Sequence, residues 1–590
     1  MTQREQTEVD VVCVGFGPAM GGFLTTVARG LPLDDGRLPQ VICYERADDI
    51  GFGVSGAVTK ARGIRGSFPD LDAASIPMAA PVRTERVVYL LDPIGASRRG
   101  TALRVADRLM RGLGLIREHA FELPWTPAFL HKRGGLVLSI GQFNQWAGQQ
   151  VMMTGAAQIW PGMPVAGPLI EDKRVAGVRL ADQGTDAAGN PTDAYLPGMD
   201  IRAALTVIGD GPVGAVGRKL DDEFGMPASH HRRECAVGMK MVIDLPEGCA
   251  LKAGTVYHTF GYPEPEIFGF FYVHPERVAS VGIFVPSWYE NPARTAYRYL
   301  QHYLMHPYLW RHVAGGRLRS WGAKSLLESG RRGEPFLAGD GWARIGEGSG
   351  STNVLTGSGV DEAWTTGAQL GEAVLELWRE GKPFTKANLE ETYVRRRRES
   401  WVEREGRIAE RARDGFHRGV LAGMAGMALA GLTGGRLWIG GKPREKLPPL
   451  DEYFGDRLAA DEIGRLREEC AAKGAPLHDA VMERLGWPAI PHDGQLLVSH
   501  QDALLVGGKV QAPPGYADHV AFVYPYLCEQ CGVKTCIEAC SGQALSQADN
   551  NGAPAFDREK CVHCGACLWN CDSGNVAFQA GAGGLHSAEN

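Results

Sequence analysis

Short apolar runs closed by glycine-rich breaks recur along this chain, and they are the first guide to its fold. Val11-Val12-Cys13-Val14 is uninterrupted and apolar, and it stops at Gly15-Phe16-Gly17-Pro18-Ala19-Met20-Gly21-Gly22. Such a run predicts a buried parallel strand turning into a helix. Val41-Ile42-Cys43-Tyr44 predicts a second strand, ending in Glu45-Arg46. Thr206-Val207-Ile208 and Ala343-Arg344-Ile345 predict two more, each entering an acidic glycine-rich turn, with a helix expected from near Asp361. Residues 419–435 carry no charge over 17 positions. The pattern is then mixed and helical to about Trp487, and Pro488, Pro491, Pro513, Pro514 and Gly515 mark a loop. No repeat is visible except two cysteine runs near the C-terminus.

The glycine loop after the first strand allows a tight turn and close approach of a pyrophosphate to a helix N-terminus. Met20 stands where the third glycine of GxGxxG belongs, with Gly21 directly after it. Glu45, at the end of the second strand, is placed to accept ribose hydroxyls. Gly15, Gly17, Pro18, Ala19, Met20, Glu45, Arg46, Asp210, Gly211, Gly346 and Glu347 are therefore the expected dinucleotide residues, and together they suggest FAD. An ordinary βα turn with an incidental Glu is the plain alternative. The expected fold class is α/β, a Rossmann-like FAD-binding domain in pieces (about 1–66, 130–230 and 330–400). Inserted α+β material occupies about 67–129, 231–329 and 401–450, with a connecting region at 451–515 and a small domain at 516–590.

Eight of the 13 cysteines lie within 528–571. The first run is Cys528-x2-Cys531-x4-Cys536-x3-Cys540 and the second Cys561-x2-Cys564-x2-Cys567-x3-Cys571. In two-cluster ferredoxins the fourth cysteine of each run ligates the other cluster. One [4Fe–4S] cluster is then expected on Cys528, Cys531, Cys536 and Cys571, the other on Cys561, Cys564, Cys567 and Cys540. Ser541 and Asp572 replace the proline that usually follows the fourth cysteine. Two structural zinc sites are the alternative, but the interleaved CxxCxxC run favours iron–sulfur. The remaining five cysteines form no disulfide framework, which fits a reducing compartment.

The apolar stretch 419–435 is as compatible with a membrane foot lying among headgroups as with a core helix, and a full span fits it least. The run Arg395, Arg396, Arg397 and Arg398 ahead of it reads as a solvated helix face. At 590 residues, with 44% apolar and 22% charged residues, the chain has the make-up of a soluble protein of several domains. Its net charge of −6 argues against nucleic-acid binding. The polar first ten residues match neither a signal nor a transit peptide.

A flavin front, an apolar foot and an iron–sulfur tail together resemble the electron-transfer flavoprotein:ubiquinone oxidoreductase family over nearly the whole chain. The residues that carry the resemblance include Ser55-Gly56-Ala57, Ser67-Phe68-Pro69-Asp70, His258-Thr259-Phe260-Gly261-Tyr262-Pro263 and Gly322-Ala323-Lys324-Ser325-Leu326. Ser400-Trp401-Val402, Phe416-His417, Pro491-His492-Asp493-Gly494-Gln495 and Cys561-Val562-His563-Cys564-Gly565-Ala566-Cys567 add to it. The resemblance adds Ser55 and Gly56 to the FAD residues. It implies one cluster, on Cys540, Cys561, Cys564 and Cys567, so the other four thiols would build an additional one. Where the family reads Tyr-Gly-Gly-Ser near its quinone, this chain has Phe268-Gly269-Phe270-Phe271, and the added phenylalanine fills space there.

The implied activity passes electrons from a soluble carrier, an electron-transfer flavoprotein, through the clusters and FAD to a membrane quinone. No side chain is nominated as catalytic acid or base. The implied setting is a peripheral contact through about 419–435 on the cytoplasmic face of a bacterial inner membrane, or a soluble complex. The cysteine tail is expected to be separable, so that removal from about Val510 leaves FAD bound. The rival readings are an electron-wiring subunit of a larger complex and an FAD-dependent isoprenoid reductase with ferredoxin input.

Overall fold

The computed structural model describes residues 4–51, 56–231, 234–442, 446–506, 509–511, 513–547, 552–581 and 584–586. Strand β1 (Gln6–Val14) leads through the glycine loop into helix α1 (Pro18–Arg29), and β2 (Val41–Tyr44) follows. Next come β3 (Thr84–Leu90), helix α2 (Thr101–Gly112), β4 (Ala120–Glu122), β5 (Gln158–Trp160) and β6 (Asp200–Ile208). The middle of the chain supplies β7 (Cys235–Asp244), β8 (Thr255–Phe260), β9 (Phe268–Val273), β10 (Val278–Pro286) and β11 (Arg317–Leu327). After them run β12 (Trp342–Arg344), helix α3 (Val360–Arg379) and helix α4 (Val420–Thr433).

Two sheets carry the fold. The first has the order β12-β6-β1-β2-β5, all parallel, with an antiparallel hairpin packed on β6. Its central strands read as continuous apolar runs because both faces are covered: Val11, Val12 and Cys13 are fully buried. Helices α1 and α3 pack against each other through glycine contacts. A Cβ at Gly22 would lie 2.2 Å from the Trp364 carbonyl oxygen, and one at Gly367 1.8 Å from that of Ala19. Only glycine permits that approach.

The second sheet has the order β11-β7-β10-β9-β8-β3-β4, antiparallel except where β8 meets β3. Its outer face buries a large apolar core of Met239, Met241, Phe271, Val281 and Tyr303. Its inner face, reached by every second residue, looks towards the first sheet. The C-terminal stretch carries short antiparallel pairs, among them Val520–Phe522 with Val576–Phe578. It joins the core of the second sheet through Val562, Cys564 and Ala566.

Candidate functional site

A cavity of about 450 Å³ lies where the two sheets face each other. Gly15, Gly17, Pro18, Ala19, Glu45, Arg46, Gly56, Asp210, Gly211, Gly346 and Glu347 all line it. All but Gly56, which precedes the short strand Ala57–Thr59, come from the ends of β1, β2, β6 and β12, the C-terminal edge where open α/β sheets bind ligands. Gly17 caps α1 without a side-chain bond, so the first N–H groups of that helix are left for a ligand. Among the described residues nothing lies within 4 Å of a Cβ built at Gly17 or Gly211. These glycines present bare backbone to the cavity, which suits a phosphate.

Glu45 is held rigidly. Its Oε2 accepts from the Phe16 amide at 2.7 Å and its Oε1 from the Ala47 amide at 3.0 Å. Asp210 instead turns to the next helix, accepting from Gly217 N at 2.9 Å. Glu347 accepts from Leu327 N at 2.8 Å, and burial pushes its carboxyl up to about 7 against the pull of Lys324 and Lys240. Gly357, Gly359 and Val360, at the start of α3, close the far wall. Bare glycine backbone at two helix entries, a fixed acid at the ribose position and one continuous cavity fit a dinucleotide such as FAD.

Met20 does not line the cavity. Its side chain is fully buried beneath the loop, with its methyl 3.1 Å from a Cβ built at Gly209. The close approach expected of the third glycine is made by Gly21, whose Cβ position is 2.8 Å from the Trp364 ring. Ser55 lies outside the described residues.

The cysteines divide into two sets. Cys528, Cys531, Cys536 and Cys571 surround a cavity of about 20 Å³. Burial pushes the Cys536 thiol up to about 12, reinforced by Cys571, Cys531 and Cys528. Burial likewise raises Cys567, reinforced first by Cys564, Cys540 and Cys561. Donors point at the sulfurs: Asn575 Nδ2 at Cys528 and Asn575 N at Cys571, both at 3.2 Å, and Ala544 N at Cys540, at 3.2 Å. Among the described residues no three His, Cys, Asp or Glu side chains converge closely enough to hold a single metal ion. The first set stands around a small volume and the second is close enough for its thiols to act on one another, arrangements that fit a cluster's several irons.

The second set is built onto the large cavity. Ser325 N donates to the Cys564 carbonyl at 2.9 Å, and Trp569 Nε1 donates to Ser325 Oγ at 2.9 Å. Lys324, one residue earlier on β11, lines the cavity instead. His563 reaches the cavity from between Cys561 and Cys564 and is in contact with Arg46. It stacks on His519 at 3.7 Å between ring centroids, and His519 Nε2 lies 3.1 Å from Cys561 Sγ. Phe578, Gln579, Ala580 and Gly581 complete the wall. The tail thus supplies one side of the nucleotide cavity.

At the other side, β9 turns Phe268, Phe270 and Tyr272 into the cavity, while Phe271 points into the opposite core. Phe270 and Tyr272 stack at 4.5 Å, with Lys240 Nζ 5.4 Å from the Phe270 ring. Phe268 meets Phe416 edge-on at 5.7 Å, and Phe416 stacks on Trp288 at 4.4 Å. Helix α4 presses Gly423 against Phe416. Its Gly426, Met427 and Ala430 are buried, while Leu421 and Leu432 on the opposite side are 52% and 86% exposed. Arg413 and Glu328, paired with each other, line the cavity beside this aromatic group.

The model of the ubiquinone-binding part of electron transfer flavoprotein–ubiquinone oxidoreductase (ETF-QO) matches residues 235–326, the stretch from β7 to β11. The chain is similar to the electron transfer flavoprotein–ubiquinone oxidoreductases. It is 28% identical to the Pseudomonas aeruginosa protein of that name over 388 residues, 64% of this chain and 66% of that one. It is 27% identical to the mitochondrial protein of Mus musculus over 440 residues, 73% of this chain and 67% of that one. The match to the bacterial relative thus spans a little under two thirds of its length. Among solved structures, a geranylgeranyl bacteriochlorophyll reductase-like protein from Thermoplasma acidophilum aligns at 15% identity and a TM-score of 0.49, over 76% of this chain and 99% of that one.

The matched stretch supplies the cavity residues that pattern reading missed. Lys240 and Lys324 stand half-buried on the inner face, lining the cavity, and loss of solvent there pushes both down to about 8. Lys240 Nζ donates to the Gly56 carbonyl at 2.7 Å. The signal was present as a period of two, which puts 238 with 240, 268 with 270 and 272, and 324 with 326 on one face. The arginine run departs from expectation too. Arg397 is 2% exposed, Arg398 pairs with Glu334 and Glu403, and Arg396 pairs with Glu376. No helix among the described residues is long and apolar enough to cross a membrane.

Proposed function

We propose that this chain is an oxidoreductase that passes electrons from a soluble carrier, an electron-transfer flavoprotein, to a membrane quinone. Bound FAD and two [4Fe–4S] clusters would supply the redox chemistry, exchanging one-electron for two-electron transfer. The chain's own residues arrange distance and charge. Gly17, Gly211 and the start of α3 hold the dinucleotide, and Glu45 orients its ribose. Lys240 and Lys324 bring positive charge into a dry cavity, where it favours a reduced, more negative occupant. Phe268, Phe270 and Tyr272 exclude water and give a flat apolar quinone a stacking wall. The exposed side of α4 would sit against the cytoplasmic face of a bacterial inner membrane, leaving the aromatic group above it as the quinone's way in.

The observation that carries this reading is the Ser325–Cys564 contact. One strand of the quinone-binding match touches the cluster loop with one residue and the nucleotide cavity with the next. The test is reduction of a short-chain quinone by the anaerobically reconstituted protein, with reduced electron-transfer flavoprotein as donor. Carrier-dependent quinol formation supports the proposal. Flavin reduction by the carrier without quinol formation would favour a wiring role inside a larger complex.

A further inference from the structure

Helix α2 lies between β3 and β4 at the edge of the second sheet and belongs to no part of the site. Its sequence, TALRVADRLMRG, divides cleanly at 100° per residue. Ala102, Leu103, Val105, Ala106, Leu109 and Met110 fall on one half, and Leu113 continues that half beyond the helix. Arg104, Asp107, Arg108 and Arg111 fall on the other. The apolar half is not spent on the core, since Val105, Leu109 and Leu113 are 48%, 62% and 73% exposed.

The charged half is uncompensated. Asp107 is turned inward, accepting from the Tyr89 hydroxyl and from Arg99 Nη1, both at 2.7 Å. Arg104, Arg108 and Arg111 are exposed and form no ion pair among the described residues. A chain of net charge −6 thus presents here a helix whose outward charges are all positive, beside a strip of leucine and valine.

We infer that α2 is a second membrane contact, lying flat on an anionic lipid surface with its leucines among the acyl chains and its arginines at the phosphates. A strongly amphipathic, arginine-bearing helix of low mean hydropathy is the form that binds such a surface. Arg111 also donates to the Asp92 carbonyl at 3.2 Å, while Arg104 and Arg108 stand exposed beside the apolar strip, where a lipid phosphate can reach them. The inference extends the membrane reading of α4, and its test lets the two fail separately.

The test is flotation of the full holoprotein with vesicles of phosphatidylcholine alone and of phosphatidylcholine mixed with phosphatidylglycerol, at low and high salt. Arg104→Gln with Arg108→Gln should weaken binding to the anionic vesicles roughly 20- to 30-fold, at about fivefold for each arginine. It should leave binding to neutral vesicles unchanged, and Arg104→Lys with Arg108→Lys should restore the wild-type level. Leu109→Glu should weaken binding to both vesicle types. Circular dichroism checks that each exposed-site variant is folded. Equal binding of wild type and the Gln pair to anionic vesicles would overturn the inference. So would unchanged lipid binding with loss of carrier-driven quinone reduction, which would assign α2 to a protein partner. A Leu421→Arg, Leu432→Arg variant that floats as well as wild type would sink the α4 reading and leave that of α2 standing.

Discussion

The amide of Ser325 donates to the carbonyl of Cys564 at 2.9 Å, tying the strand that carries Lys324 into the cavity to the loop that carries three of the eight clustered cysteines. A second contact locks the same loop. Gly565 has φ +73°, and a Cβ there would lie 2.7 Å from Val213 Cγ1, on the turn after β6. Gly565→Ala should therefore loosen the tail and cost about 1–3 kcal/mol through backbone strain and overpacking. Denaturant unfolding followed by flavin fluorescence and by cluster absorbance would show both signals lost together at a lower midpoint. An unchanged midpoint would mean that the loop does not depend on this contact.

Acid should destabilise the protein above the range in which ordinary exposed carboxylates protonate. Burial pushes His274 and His306 down to about 4, and both side chains are almost wholly buried. Between pH 6.5 and 4 the unfolded chain takes up protons that the folded chain refuses, so stability present above pH 6.5 is lost as pH falls. Each group contributes up to roughly 3 kcal/mol across that window, at 1.36 kcal/mol per unit. Thermal midpoints measured from pH 7 to pH 4.5 should fall steadily. A flat profile would show that these imidazoles are solvated.

Phe270 stands where the family resemblance places a second glycine, and it projects into the cavity with 2% exposure. Phe270→Ala should cost about 3 kcal/mol in stability. It should also lower the KM for bulky quinone analogues relative to small ones. An unchanged preference would place the quinone elsewhere.

The 14-residue helix α4 packs its glycines inward and leaves Leu421 and Leu432 outside. Leu421→Arg with Leu432→Arg should move the protein from the membrane to the soluble fraction without a change in thermal midpoint. A variant that stays with the membrane would return α4 to the role of a core helix.

The glycine loop, Glu45 and the acidic turns at Asp210 and Glu347 were legible because each needs a particular residue at a strand end. The spacing of the cysteines also brought Cys571 to the first run, and the structure sets Cys528, Cys531, Cys536 and Cys571 around one small cavity. Three things were not legible. Met20 matched a motif position, but the bend of the loop turns it under the sheet, where Gly21 takes over the close contact. The arginine run had the composition of a solvated face, but Glu334 and Glu376, farther off in sequence, and Glu403 on the next helix pair with it. The tail's contacts with Ser325 and Val213 left no mark in the pattern, because both partners lie hundreds of residues upstream.

The account turns most directly on the metal and flavin content of the protein reconstituted anaerobically, compared with Cys536→Ser. Two complete thiol sets predict one FAD and about eight iron per chain, falling to about four iron in the variant with flavin retained. About four iron in both proteins, or two zinc ions per chain, would contradict it.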